Sequence, residues 1–221
     1  MKKILLIIIL FSINQSFGQD SNIDILMIAG NEAYQKSDFE TAKLNYESII
    51  KIDSINKDAI FNLAGVELNL GNTQQACQLL QKSYSLGDFE SYELIEQYCG
   101  GLEYSEKMFL FHVDELPKFK YNNNFEPLIV NKKQINPDYI KLLKSEIKNS
   151  KKLKRIRGKI YLMINVGIKG ELITNIKGNI NESEINELTN SLMKMTEYQP
   201  AIFKGKNVGL FGGGFALPLS L

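Results

Sequence analysis

The sequence predicts an α plus α+β chain of two domains. An N-terminal part is built from α-helical hairpins, and a C-terminal part packs a small antiparallel sheet on helices. Three observations predict this. Apolar residues recur at three and four spacing, with no Pro, from residue 23 to about 100. From residue 156 onward the pattern becomes β-branched and aromatic runs broken by Gly and Pro. The charge also changes sign: 20–115 holds 6 Lys and Arg against 17 Asp and Glu, net −11, and 116–221 holds 18 against 8, net +10. A switch of that size marks two modules meeting near residue 110, so the expected domains are 22–100 and 110–221.

The first residues address compartment. Lys2 and Lys3 precede an unbroken apolar run, Ile4 to Phe11, and Ser16-Phe17-Gly18 offers small residues at −3 and −1 of a cleavage point. This is the pattern of a secretory signal peptide over 1–18. The run is shorter than the ~20 residues a spanning helix needs. The expectation is a periplasmic protein with no integral membrane span after signal cleavage; an uncleaved anchor is the alternative. The 221 residues are 44% apolar and 23% charged, which excludes a largely disordered chain.

In the helical part, turns are expected at Ser37-Asp38, Asp53-Ser54, Gly71-Asn72 and Gly87-Asp88. An offset of 34 residues carries Gly30, Ser37, Ala42 and Tyr46 onto Ala64, Gly71, Ala76 and Leu80. Small residues at Ala42 and Ala76 suit two antiparallel helices in close approach. This pattern resembles the tetratricopeptide repeat, and Tyr84 to Cys99 resembles the related Sel1-like repeats. The resemblance implies a concave groove lined by Met27, Asn31, Tyr34, Phe61, Leu68 and Asn69. No Lys or Arg is among these, so a clamp for a peptide carboxylate is not expected. A spacer or a homodimerisation surface is the other reading of this part.

Cys77 and Cys99 are the only cysteines. One starts a helix and the other ends the next, with a turn near Gly87. At ~1.5 Å rise per residue both reach the same end of a hairpin. An even count in an oxidising compartment then favours a disulfide, with two separate buried thiols as the alternative.

In the C-terminal part, Lys159–Val166 and Leu172–Ile176 flank a turn at Lys169-Gly170-Glu171 and read as a hairpin. Glu182 to Met195 reads as a helix, with Ile185, Leu188, Leu192 and Met195 as its apolar stripe and Asn181 or Ser183 as cap. Val208 to Leu221 reads as a last strand. Gly158-Lys159-Ile160-Tyr161, the Gly170 turn, Tyr198-Gln199-Pro200-Ala201, Gly205-Lys206-Asn207-Val208 and Phe215-Ala216-Leu217-Pro218-Leu219 resemble, in order and spacing, the TonB C-terminal domain. Val113 to Phe119 resembles the lead-in peptide of Bacteroidetes versions.

That resemblance implies capture of a short extended peptide, such as an outer-membrane receptor segment, by strand addition to a sheet edge. The implied docking backbone is Asn207, Val208, Gly209, Leu210, Phe211, Gly212, Gly213, Gly214 and Phe215. A bend without a ligand is the alternative reading of the Gly run. The chain is therefore expected to be a non-enzymatic interaction module or adaptor with a protein or peptide partner. The alternative is an energy-transducing component of outer-membrane transport.

Other signals are weaker. The stretch 141–159 holds nine basic residues and one acidic one. It reads as an amphipathic helix with a solvated face, or as a contact for anionic lipid or the acidic part. Nucleic acid is not expected, since aromatic residues do not interleave with this run. The single His, His112, lacks ligand spacing, and no nucleophilic triad order stands out. No catalytic residue, metal or cofactor is expected.

Overall fold

The computed structural model describes residues 22–151, 153–155, 159–212 and 215–220. The expected signal segment 1–18, Gly158, Gly213, Gly214 and Leu221 lie outside the described residues. The chain divides into two compact units between Glu103 and Tyr104. The layout is helical hairpins first, then small, largely antiparallel sheets with helices.

The first unit is a row of antiparallel helices. Helix α1 covers 22–35, α2 Phe39–Ile52, α3 Lys57–Asn69, α4 Thr73–Ser85 and α5 Ser91–Tyr98. Side chains just before them cap α2 and α3: Asp38 accepts from the Thr41 N–H, and Asn56 from the Ala59 N–H. Three helices end in one motif. The backbone N–H of Asp38, Asn72 and Asp88 returns to the carbonyl five residues earlier, of Ala33, Glu67 and Ser83. The residue before each of those donors has positive φ: Ser37 at 58°, Gly71 at 81° and Gly87 at 93°. So Ser37 and Gly71, 34 residues apart, do the same job.

The repeat positions form the core of this unit. Ala33, Ala42, Tyr46, Ala64, Ala76 and Leu80 are buried. Gly30 is the closest approach: a Cβ there would sit 2.7 Å from Tyr46 Cε1. Glu67 is fully buried and holds two partners, Lys43 Nζ at 2.8 Å from α2 and Asn72 Nδ2 at 2.7 Å from the turn before α4. Cys77 and Cys99 form a disulfide, with Cα atoms 5.5 Å apart, that fastens α5 to the start of α4. Eight residues are too few for a stable lone helix, so α5 depends on such fastening.

The second unit has two α-helices, two short 3-10 turns and four small sheets among its described residues. Strand β1 is Lys107–Met108, β2 Lys118–Tyr121, β3 Asn124–Pro127, β4 Ile129–Val130 and β5 Gln134–Ile135. Helix α6 is Pro137–Asn149. Then come β6 Lys159–Val166, β7 Leu172–Gly178, α7 Glu182–Met195, β8 Tyr198–Gln199, β9 Ala201–Phe203, β10 Lys206–Leu210 and β11 Phe215–Ser220. The hairpin of β6 and β7 and the helix α7 follow the sequence expectation. Asn181 and Glu184 form a reciprocal capping box at the start of α7. Leu188 and Leu192 are fully buried in the same unit as Ile160, Leu162 and Ile164, which alternate inward along β6. A Thr174–Thr189 hydroxyl contact of 3.3 Å ties α7 to β7, placing it over this inward face.

The expected last strand, Val208 to Leu221, is a correction. It is two strands in two sheets, β10 beside β9 and β1, and β11 beside β6. The chain turns at Gly212, whose φ of +86° is costly for any residue with a Cβ. Among the described residues no helix is long and apolar enough to cross a membrane.

Candidate peptide-binding surfaces

Asn207 to Leu210, the first part of the expected strand edge, are not an edge. Strand β10 is the middle of a three-stranded sheet ordered β1-β10-β9. Lys107 and Met108 pair in parallel with Gly209 and Leu210. The Gly209 N–H donates to Glu106 O and the Phe211 N–H to Met108 O, both at 2.8 Å. On the other side Asn207 and Val208 pair with Ile202 and Ala201. Val208 and Leu210 are buried, and the Phe211 ring lies 4.8 Å from that of Phe109. The physical reason is a two-residue strand about a hundred positions upstream, too short to leave a pattern in sequence.

Phe215, last of the expected set, instead opens a strand that is at an edge. Strand β11 has one hydrogen-bonded neighbour, β6, among the described residues, although β5 approaches it. The ladder fixes which groups face out. Gly167 N–H donates to Glu171 O in the hairpin turn, so the odd residues of β6 bond to β7 and the even ones to β11. Register then gives 215, 217 and 219 to β6 and turns the backbone of Ala216, Pro218 and Ser220 outward. Pro218 fits only because its missing N–H points away from the ladder, which is how Pro is tolerated in strands. The open edge offers N–H groups at 216 and 220 and carbonyls at 216, 218 and 220. Pro218 was the sequence signal for this edge.

In the helical unit a recess of about 330 Å³ is lined by Asn31, Tyr34, Gln35, Tyr46, Phe61, Asn62, Gly65 and Leu94. Three of the six expected groove residues, Asn31, Tyr34 and Phe61, line it. Two more bond to its walls: Asn69 Nδ2 donates to Tyr34 OH at 3.0 Å, and Asn62 Nδ2 donates to Met27 Sδ at 3.5 Å. Leu68 is not part of the lining. Asn31 Oδ1 accepts from Tyr46 OH at 2.7 Å and from Asn62 Nδ2 at 3.3 Å. Burial of Tyr46 pushes its hydroxyl pKa up, so it stays a donor to Asn31. Sequence reasoning missed Asn62 and Gly65, although Asp58, Asn62, Gly65 and Asn69 share one face at three and four spacing.

A carboxamide carries one acceptor and two donor hydrogens, the complement of a peptide group. The recess can therefore hold backbone by its amides and an apolar side chain by Phe61 and Leu94. Among the described residues no group of three His, Cys, Asp or Glu is placed to hold a metal ion. A comparison of the chain with models of known protein families finds no match.

Proposed function

We propose that this is a periplasmic, non-enzymatic adaptor that binds an extended peptide by adding it as a strand to β11, with a further partner in the recess of the helical unit. The observation that carries the reading is the edge of β11, whose outward N–H groups at Ala216 and Ser220 and carbonyls at Ala216, Pro218 and Ser220 have no strand to pair with among the described residues. Such an edge supports strand addition, in which main-chain bonds supply affinity. The resemblance to the TonB C-terminal domain supports the same mode, and the leader pattern of residues 1–18 supports the compartment.

Hydrogen exchange tests this with synthetic peptides carrying the N-terminal periplasmic segments of outer-membrane receptors. Binding should slow exchange at Ala216 and Ser220, and Ala216→Pro should remove it, because the lost N–H faces outward and the bonds to β6 survive. Protection confined to other strands would overturn the edge as the docking site. The energy-transducing reading rests on the Ile4 to Phe11 run serving as an anchor. Intact mass of the membrane fraction separates the two, since a transducer retains that run.

A further inference from the structure

We infer that the groove of the helical unit takes an internal, cationic stretch of extended peptide, with no terminal carboxylate. This rests on reading the helical unit as a peptide binder and adds the class of peptide. A second recess, of about 380 Å³, shares Phe61 and Asn62 with the first, so the two adjoin, and a ligand spanning both would lie along one trough. The first half is uncharged, walled by Asn31, Asn62, Phe61 and Leu94. The second half is acidic: Asp58 and Glu90 are exposed there beside Phe89, whose ring is about half exposed.

Lys57, the cation among the second recess's lining residues, is opposed by Asp58 at 3.7 Å. Asp88 lies deeper and is already engaged, accepting from Ser83 Oγ and from the Glu90 N–H. Asp58, shared with the exposed Lys57, and Glu90 are thus the acidic groups a ligand meets. Residues 22–103 as a whole carry 13 Asp and Glu against 5 Lys and Arg, net −8, which draws cations to the unit from a distance.

The two halves ask for different things of one ligand. Asn31 Oδ1 is occupied by Tyr46 and Asn62, which leaves the Asn31 amide hydrogens and the Asn62 carbonyl oxygen for a peptide group. A side chain lying over Phe61 then brings its neighbours toward Asp58 and Glu90, where Lys or Arg is favoured and Asp, Glu or a chain-end carboxylate is repelled.

The test is a side-chain NH2 NMR titration of the 15N-labelled full chain with three pools of randomised dodecapeptides. All are N-acetylated and C-amidated, and each carries Lys, Gln or Glu at alternate positions. The signals of Asn31 and Asn62 report on this trough whatever the basic unit binds. The Lys pool should shift them about fivefold more strongly than the Gln pool, as two exposed ion pairs of ordinary strength would give. The Glu pool should do less than either. Asp58→Asn with Glu90→Gln should bring the Lys pool down to the Gln level, and so should about 0.5 M salt. Equal shifts from all three pools, or no effect of the double variant, would overturn the cationic class and leave the groove reading standing. No shift from any pool would overturn both.

Discussion

Replacing Cys77 and Cys99 by Ser removes a staple whose worth follows from the chain it closes. The bridged residues are 22 apart. On the chain-entropy account a loop of that length stabilises by about 3 kcal/mol. The unit has no other covalent tie, and α5 is an eight-residue helix held mainly against α4. Its loss reaches the recess, because Leu94 on α5 forms one wall of it. The chain contains no Trp, so far-UV circular dichroism is the probe. With a urea m-value of about 1.5 kcal/mol/M, the helical transition should move down by about 2 M in the double Ser variant. The Asn31 and Asn62 side-chain signals should broaden before global unfolding. A transition displaced by less than about 0.5 M, with unchanged amide signals, would mean that α5 docks by packing alone.

Two further outcomes are expected. Lys43→Met leaves Glu67, fully buried, with only Asn72 as partner, and should cost about 3 kcal/mol in urea unfolding; Lys43→Met with Glu67→Met should recover most of it. Tyr139 and Tyr198 bond hydroxyl to hydroxyl at 3.0 Å, and burial raises both, Tyr198 to about 12 and Tyr139 well above its ordinary value. The neutral forms are favoured in the fold, so their stabilisation is complete below pH 10 and is lost as pH rises toward about 12. Urea midpoints followed through that range should fall more steeply for the native chain than for Tyr198→Phe, and parallel curves would refute the assignment.

Features encoded locally were legible in sequence. The 34-residue offset led to Ala42, Ala76 and the paired turns at Ser37 and Gly71, since close helix approach and positive φ each restrict residue type at one place. Helical rise alone brought Cys77 and Cys99 to one end of a hairpin, and they are bridged. The apolar stripe of α7 was legible for the same reason, and its cap was narrowed to Asn181 or Ser183, of which Asn181 serves. Of the groove, Asn31, Tyr34 and Phe61 could be placed by repeat position, while Leu68 could not.

What only the tertiary structure decided was strand partnership. Asn207 to Leu210 were expected at an edge through the resemblance alone, because a short strand carries little record of its neighbours. Their partner Lys107–Met108 lies about a hundred residues upstream, and two residues cannot establish a period. Gly212 then sends the chain to a second sheet, so the open backbone falls on β11. Tertiary packing likewise joined the uncharged recess to Asp58 and Glu90 through Phe61 and Asn62. A sequence fixes local conformation through each residue's own sterics and caps, whereas an edge or a trough is a property of which distant backbones come to lie side by side.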